Sequence, residues 1–384
     1  MTLLLPNADT QLVPYTLQGT PIAGGTLAAD AVRTVYAAAH VVADPLAATD
    51  PSEAIAIDWA GTMAFRRHLA GLGLGIAEAM DTAQRGMGLD WPHALELIRR
   101  TRAEVPEALV ANGCGTDHLD PAGVTTLDQV VAAYLEQVEA IQRLGGRLIV
   151  MASRALARVA RSPADYLYVY DRVLAAADHP VILHWLGEMF DPALAGYWGH
   201  DAFPGALDVA LEVIARNAAK VDGIKISLLD KDKEIQMRRR LPQGVRMYTG
   251  DDFNYPELIA GDEHGFSHAL LGIFDPLAPA AAYAVSRLTA GDRAGFHQTL
   301  DPTVALARQI FRAPTRFYKT GVVFLAWLNG FQDHFVMLGG AQSARSLVHF
   351  AEIFRLADQC GILSQPDLAE RRMRTLLAMS GVEG

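Results

Sequence analysis

One lysine inside an apolar, strand-like run is the residue of this sequence with the clearest chemical potential. Lys225 lies within residues 221–229, with Ile224 and Ile226 on either side. Lysine is rarely buried without a reason. Burial favours its uncharged amine, which is a nucleophile toward carbonyl carbon. We predict that Lys225 forms a Schiff base with a ketone or aldehyde, its pKa brought from about 10.4 toward roughly 7 to 8.

The same lysine also has a structural interpretation. An apolar run that ends in the polar turn of residues 230–233 could carry a lysine at a strand edge. It could equally carry a lysine paired with a nearby carboxylate. The residues alone leave both interpretations open.

Eight short apolar segments, each followed by a helical pattern, are the elements that must position Lys225. The predicted strands are residues 34–42, 74–79, 108–112, 147–152, 181–184, 223–228, 245–248 and 264–270. The predicted helices are residues 58–70, 91–102 (with Asp90 as N-cap), 126–144, 163–177, 205–219, 231–240, 253–260 and 277–288. Eight strand–helix units in series predict an α/β fold, a (β/α)8 TIM barrel. An open doubly wound sheet is the alternative, and no Gly-x-Gly-x-x-Gly supports its dinucleotide-binding version.

The segments on either side of the barrel divide the chain into three predicted parts. Residues 1–30 mix β-formers with turn residues and predict an N-terminal arm or hairpin. Residues 31–290 form the predicted catalytic barrel. Residues 291–384 read only as helices, at 303–310, 316–330, 343–358 and 367–379, and predict a C-terminal helical extension. The second of these helices is strongly apolar, so we expect it to be buried against the barrel or a neighbouring subunit.

Composition restricts the partners. The 384 residues carry a formal net charge of −10 and a sequence pI of about 5.6, which disfavours nucleic-acid and anionic-membrane partners. Two distant cysteines suit a reducing cytoplasm and argue against a disulfide scaffold. A signal peptide and a membrane-spanning segment are not predicted. We expect a soluble, cytoplasmic protein that acts on a small molecule.

Active residues of (β/α)8 barrels lie at the carboxyl ends of the strands and in the loops that follow. His184 ends the fifth predicted strand, where it would be either a general base or a buried structural histidine. Glu78, at the second strand, is a candidate acid. Arg154, after the fourth, would either bind an anionic group in a bidentate way or be a solvated loop charge. The other candidate substrate-binding residues are Thr82, Asp81, Asn112, Ser267 and Asp251. Asp251 and its neighbour Asp252 would either face the pocket or cap the helix that follows.

Three short motifs in order resemble those of the dihydrodipicolinate synthase / N-acetylneuraminate lyase family. They are Gly223-Ile224-Lys225, then Gly250-Asp251-Asp252, then Gly265-Phe266-Ser267 with Pro276 beyond, and they match across about residues 180–290. The resemblance implies a (β/α)8 barrel of the class I aldolases in which Lys225 forms an imine with a 2-keto acid. It also implies a homo-oligomer, a dimer or a tetramer.

The sequence departs from that family at three strand ends. The family's Gly-Thr-Thr-Gly-Glu, which binds the keto-acid carboxylate, is replaced by Met80-Asp81-Thr82-Ala83-Gln84, which keeps only Thr82. The proton-relaying tyrosine after the fourth strand is replaced within Met151-Ala152-Ser153-Arg154. The family's Tyr-Asn-x-Pro after the fifth strand is replaced by His184-Trp185-Leu186-Gly187. The resemblance therefore assigns roles to Lys225 and Thr82, and it assigns none to a tyrosine.

Three functions follow from these residues. The first is a class I Schiff-base aldolase or lyase, or a related dehydratase, which acts without a cofactor on a small keto acid or oxidised sugar derivative through Lys225, with His184 or Glu78 moving protons. The second is a metal-dependent barrel isomerase or hydrolase of a sugar-like substrate. Its divalent metal would be held by His184, Glu188, Glu78 and Asp117. The third is a non-catalytic ligand-binding barrel.

Overall fold

A closed ring of eight parallel strands lies at the centre of the chain, after a short antiparallel hairpin. The computed structural model describes residues 2–382. The strands are β1 (Thr2–Pro6), β2 (Leu12–Thr16), β3 (Val35–Ala38), β4 (Gly75–Glu78), β5 (Val110–Cys114), β6 (Arg147–Val150), β7 (Val181–Leu186), β8 (Val221–Ser227), β9 (Arg246–Thr249) and β10 (His268–Leu271). Strands β3 to β10 pair in chain order, and β10 pairs with β3 to close the ring. The predicted (β/α)8 barrel is confirmed, and each predicted strand overlaps one strand of the ring.

The helices follow the expected alternation with two additions. They are α1 (Trp59–Gly71), α2 (Trp91–Glu104), α3 (Leu127–Arg143), α4 (Arg154–Val159), α5 (Pro163–Ala175), α6 (Phe203–Arg216), α7 (Lys231–Arg238), α8 (Tyr255–Ala260), α9 (Ala278–Thr289), α10 (Arg293–Leu300), α11 (Val304–Ile310), α12 (Tyr318–Leu328), α13 (Leu347–Gln359) and α14 (Pro366–Met379). Asp90 caps α2, as predicted, by accepting from the His93 backbone N–H at 3.0 Å. Helices α4 and α10 were not predicted, because six and eight residues are too few to show a clear helical period.

The N-terminal hairpin is bound to the C-terminal helices. The Asp358 carboxylate accepts from the Tyr15 hydroxyl at 2.7 Å and from the Gln18 backbone N–H at 2.9 Å. The Arg355 guanidinium donates to the Leu5 carbonyl at 3.1 Å. The predicted hairpin and helical extension are therefore confirmed. The domain limits at residues 30 and 290 stay a prediction. Met1, in the predicted arm, and residues 383–384, in the predicted extension, lie outside the described residues.

The inner face of the ring is set by the alternation of side chains along each strand. One buried cluster of nine side chains lies inside the ring, and seven of its members come from seven different strands: Tyr36, Ala77, Ala111, Ile149, Ile182, Tyr248 and Leu270. On β7, His184 lies two residues after Ile182 and therefore points inward. Lys225 of β8 is in register with both His184 and Tyr248, so it shares that inner face.

Helix α12 lies against the barrel mouth. All of its residues are buried, and its Tyr318 hydroxyl lies 2.9 Å from the Thr82 hydroxyl, just beyond β4. The expected burial of this apolar helix against the barrel is confirmed. Between Thr2 and Val382, no helix is both long and apolar enough to cross a lipid bilayer.

Candidate active site

Lys225 is a buried amine without a fixed partner. The residue is only 7% exposed, and burial lowers the pKa of its amine, against the charges of Asp252 and Asp81, which raise it. Among the described residues, no carboxylate lies within 4.0 Å of its Nζ and no hydrogen bond holds it. Such an amine has a larger uncharged fraction at neutral pH than an exposed lysine, and it is free to attack a carbonyl.

A glycine on the neighbouring strand end makes room for this amine. A Cβ on Gly250 would lie 2.7 Å from Lys225 Cε, 2.2 Å from Ser227 Oγ and 2.7 Å from the Ile226 carbonyl oxygen. Real Cβ atoms do not approach other atoms so closely, so a side chain here must displace Lys225 or the strand itself.

The substitution Gly250→Ala tests this requirement. We expect it to lower the yield of any imine formed at Lys225 by about tenfold or more, because a 1 Å misplacement of a reacting group costs up to about 10²-fold. The measurement is the adduct yield by intact-protein mass spectrometry, beside the melting temperature. The control is Gly123→Ala, because Gly123 has open space around it. Gly244 also has open space, but its positive φ would make an alanine strained there. An unchanged yield with Gly250→Ala would show that the lysine tolerates the added methyl group.

His184 is a neutral imidazole beside Lys225. It is 1% exposed, and burial, together with the charge of Lys225, holds its pKa well below the usual range. Its Nε2 lies 3.2 Å from the Ser227 hydroxyl, whereas its buried Nδ1 has no hydrogen-bond partner among the described residues. An uncharged ring with one free nitrogen can give or take a hydrogen bond from a ligand, and it lines the cavity described below.

The charges of two carboxyl groups act on Lys225: Asp81, a predicted substrate-binding residue, and Asp252, expected either to face the pocket or to cap a helix. Asp252 is 4% exposed, accepts from the Ile273 backbone N–H at 2.9 Å, and has a pKa raised by burial to about 7. Asp81 begins the short turn at residues 81–83, and no hydrogen bond to its side chain exists in the described chain. Of the two neighbours, only Asp251 was taken as a predicted substrate-binding residue, although Asp252 follows the same Gly250 at the end of β9. Asp252 is the group here that changes charge near neutral pH.

A cavity lined in part by Asp81 and His184 opens at the carboxyl ends of β4 to β7, and Lys225 and Asp252 are not among its lining residues. It holds about 640 Å³ of empty space, including its open mouth. Its polar lining residues include Asp81, Arg85, Asp117, Arg154, His184 and Asp191.

The two arginines of the cavity differ in how many of their N–H donors are free of hydrogen bonds within the described residues. Arg85 is saturated, since it pairs with Asp117 and donates to the Ala79 carbonyl at 3.2 Å and the Gly113 carbonyl at 3.1 Å. Arg154 begins α4, is exposed at the rim, and uses its Nε on Asp191. No hydrogen bond from its Nη1 or Nη2 is found within residues 2–382. The anion-binding role of Arg154 therefore stays a prediction, while Arg85 holds the wall together.

Thr82 is present at the mouth, but its hydroxyl is already engaged. Thr82 is 1% exposed, and its Oγ1 lies 2.9 Å from the hydroxyl of Tyr318. A Cβ on Gly272 would lie 3.1 Å from the Tyr318 ring and 3.3 Å from Thr82 Oγ1, so the pair is packed against the end of β10. A tyrosine hydroxyl from α12, which sequence reasoning did not connect with the site, therefore reaches this mouth.

Glu78 does not reach the cavity, so the expected proton-transfer role does not fit. Its carboxylate accepts from Arg66 Nε at 2.9 Å and Nη2 at 2.8 Å, from Thr101 Oγ1 at 2.6 Å and from the Ala79 N–H at 2.8 Å. Ala77 points into the ring, so Glu78 points out of it, toward α1 and α2. It is one half of a fully buried ion pair.

Three predicted substrate-binding residues are also directed elsewhere. Asn112 follows the inward Ala111, faces outward, and donates to the Arg147 carbonyl at 2.9 Å. Asp251 accepts from the backbone N–H groups of residues 253 and 254 at 2.8 and 3.1 Å, which is its alternative role as a cap before α8. Ser267 precedes β10, which begins later than predicted, and donates to Glu234 of α7 at 2.7 Å.

The predicted metal ligands are not brought together. Asp117 pairs with Arg85, Glu78 pairs with Arg66, and Glu188 is exposed in a separate surface groove. Within the described part of the chain, no group of three or more histidine, cysteine, aspartate or glutamate side chains is placed to hold a metal ion. The residues present do not fit the metal site of the second hypothesis.

Comparison with solved structures shows the same fold at low sequence identity. YagE, a prophage protein of the dihydrodipicolinic acid synthase family from E. coli K12 in complex with pyruvate, has a TM-score of 0.63 at 14% identity over 92% of this chain and 99% of its own. Dihydrodipicolinate synthase from Acinetobacter baumannii, complexed with pyruvate, has a TM-score of 0.61 at 14% identity over 92% and 100%. The enzyme of that name from Thermotoga maritima has a TM-score of 0.63 at 14% identity over 86% and 99%.

The sequence itself matches one family model. No curated protein matches the chain. The model of DUF993, described as a protein of unknown function, matches residues 3–382, which is nearly the whole chain. The chain therefore belongs to the DUF993 family, and its barrel is similar to those of the dihydrodipicolinate synthase family.

Proposed function

We propose that this protein is a class I Schiff-base aldolase or lyase, or a related dehydratase, that acts on a small keto acid or oxidised sugar derivative. The observation that carries the proposal is the buried amine of Lys225, which has no ion-pair partner among residues 2–382 and lies beside His184, Asp252 and Asp81. The pyruvate-bound structures of similar fold support the substrate class. They do so by analogy of fold only.

The proposed chemistry needs only groups of this chain. The uncharged Lys225 amine attacks the carbonyl carbon, one proton is taken up from solvent, the carbonyl oxygen leaves as water, and a protonated imine remains. When the bond between the α-carbon and the β-carbon breaks, its electron pair forms the carbon–carbon double bond of an enamine, and the β-hydroxyl loses its proton so that the other fragment leaves as an aldehyde. Asp252 accepts or returns the proton in that step, and the neutral His184 donates a hydrogen bond to substrate oxygen. We propose that no metal or organic cofactor takes part.

Borohydride trapping tests the proposal. The intact protein is incubated with pyruvate, 2-oxopentanoate or 2-oxoglutarate, reduced, and analysed by mass spectrometry with peptide mapping. We expect a covalent adduct of one substrate molecule on Lys225, because reduction converts an imine into a stable secondary amine. An adduct on surface lysines alone, or none with any keto or aldehyde substrate, would refute the proposal.

The pH dependence should reflect Asp252. Since burial raises its pKa to about 7, its carboxyl is neutral below that pH and ionised above it. If the ionised form is the base, turnover of a trapping substrate rises as the pH increases through about 7. We expect Asp252→Asn, which keeps the acceptor for the Ile273 N–H, to lower kcat by about 10²- to 10³-fold. The rise in turnover through about pH 7 should also disappear in this variant.

The folding stability gives a second readout of the same carboxyl. A pKa raised in the folded state stabilises the fold below the unfolded value, near 3.9, and this contribution is lost as the pH rises toward about 7. Asp252→Asn should therefore flatten the decrease in melting temperature over that range. An unchanged pH–kcat profile in the variant would exclude Asp252 as the base.

A homo-oligomeric state and a cytoplasmic location stay predictions.

A further inference from the structure

Lys225, Ser227 and His184 are polar side chains on the inner face of two neighbouring strands. Lys225 and Ser227 are two residues apart on β8 and therefore project on the same side. On β7, His184 is in register with Lys225. Lys225 is 7% exposed, Ser227 2% and His184 1%. Buried polar groups need polar partners, so the bonds that these three groups lack in the free protein are left for a ligand.

The Ser227 hydroxyl is the middle member of this group. Its Oγ lies 3.2 Å from His184 Nε2. A Cβ on Gly250 would lie 2.2 Å from this Oγ and 2.7 Å from Lys225 Cε, so the hydroxyl and the end of the lysine side chain are direct neighbours. No other hydrogen bond to the hydroxyl exists within residues 2–382. A hydroxyl has one donor and two acceptor lone pairs, so it can bond the lysine nitrogen and His184 at the same time.

His184 connects this pair with the cavity. The imidazole ring lines the cavity, whereas Lys225 and Ser227 do not. Its Nε2 is next to Ser227, and its buried Nδ1 has no hydrogen-bond partner in the described chain. The tautomer with its proton on Nδ1 accepts from the Ser227 hydroxyl at Nε2 and keeps one N–H for a ligand oxygen. Such a ring can take up a proton at one nitrogen while it gives one from the other.

We propose that Ser227 and His184 form a proton relay that carries a proton from the attacking Lys225 nitrogen to the carbonyl oxygen during imine formation. Attack of the amine leaves a positive charge and two hydrogens on the nitrogen, and a negative charge on the oxygen. The nitrogen then gives one proton to Ser227 Oγ, Ser227 gives its own proton to His184 Nε2, and His184 Nδ1 gives its proton to the oxygen.

The product of these three transfers is a neutral carbinolamine, with His184 in its other tautomer. One further proton from solvent lets the carbinolamine hydroxyl leave as water, and the protonated imine remains. Hydrolysis of the product imine runs the same transfers in reverse and restores the first tautomer. The relay rests on the proposed function, because it serves the imine at Lys225.

Time-resolved borohydride trapping tests the relay. The parent and Ser227→Ala are mixed with a keto acid, quenched at increasing times and analysed for the adduct on Lys225. We expect the adduct to accumulate about 10²-fold more slowly in Ser227→Ala with an unchanged final yield, because a relay changes the rate and not the equilibrium. Ser227→Thr, which keeps the hydroxyl, should restore most of the rate. Ser380→Ala, which removes an exposed hydroxyl bonded to the Leu376 carbonyl, should leave it unchanged.

Mixtures of H2O and D2O separate proton transfer from positioning. Several protons that move in one step give a curved dependence of the rate on the D2O fraction, whereas a single proton gives a straight line. We expect a curve for the parent and a straight line for Ser227→Ala. Equal rates in the two proteins would overturn the relay and leave the imine intact. A slower variant with the same curvature as the parent would also overturn it, because the hydroxyl would then only position His184.

Formaldehyde separates the relay from the proposed function, because it forms an imine with any accessible lysine amine. If no keto acid is trapped, the proposed function fails, and reductive methylation of Lys225 with formaldehyde and excess cyanoborohydride then tests the relay alone. A lower rate at Lys225 in Ser227→Ala, with an unchanged rate at Lys231 on the surface, supports the relay. Equal rates at Lys225, or no methylation there in the parent, overturn it.

Discussion

Replacement of Lys225 with methionine is expected to abolish the borohydride-trapped adduct and to lower turnover of a trapping substrate by at least about 10³-fold, because loss of a covalent nucleophile removes the reaction path itself. Methionine has a similar length and no charge. The buried lysine has no ion-pair partner in residues 2–382, so the substitution removes a group that is costly to bury. We expect the free energy of unfolding to stay the same or to rise.

The stability measurement makes the result specific. A variant that is folded, as stable as the parent and inactive shows that the amine is needed for chemistry rather than for packing. Lys231→Met serves as the matched control, since its amine forms an exposed pair with Glu257 at 2.7 Å. Normal turnover by Lys225→Met, or an adduct that survives the substitution, would remove the basis of the proposed mechanism.

Replacement of Glu78 with glutamine is expected to destabilise the fold by about 3–5 kcal/mol, because the charge of Arg66 would remain buried without its counter-ion. Both side chains are fully buried, and two hydrogen bonds of 2.8 and 2.9 Å join them. Thr101 also loses a charged acceptor at 2.6 Å. The free energy of unfolding from urea titration is the measurement.

A double substitution distinguishes the two roles considered for Glu78. In Arg66→Met with Glu78→Leu, the whole pair is replaced by apolar groups, and much of the lost stability should return. If the residue only supports the wall, the double variant also retains trapping at Lys225. A stable double variant that traps substrate but has lost turnover would show that Glu78 takes part in proton transfer.

The order and type of the barrel elements were predictable, whereas the direction of side chains at strand ends was not. Strands of a parallel barrel are buried on both faces, so their apolar runs lack the alternation that would separate inside from outside. Glu78 and Asn112 were therefore taken as inward, although each is one residue out of phase with an inward alanine. Lys225 and His184 were identified because a single polar residue in an apolar strand carries its own signal.

The site residues that were not predicted from the sequence are those whose role depends on tertiary packing. Asp251 and Asp252 are neighbours of the same type, and only the start of α8 decides that the first is a cap and the second lies by Lys225. Tyr318 belongs to a helix that is apolar on all sides, so no periodicity indicates which residues meet the barrel. Its contribution depends on where the extension packs, which is a long-range property of the fold.

The docking of the N-terminal hairpin on α13 has a consequence for biosynthesis. Gln18 and the Asp358 carboxylate that accepts its N–H are 340 residues apart. β1 and β2 are therefore synthesised long before the helix that they bind, and Leu3 and Leu5, almost fully buried in the finished fold, gain their final cover only once α13 has formed.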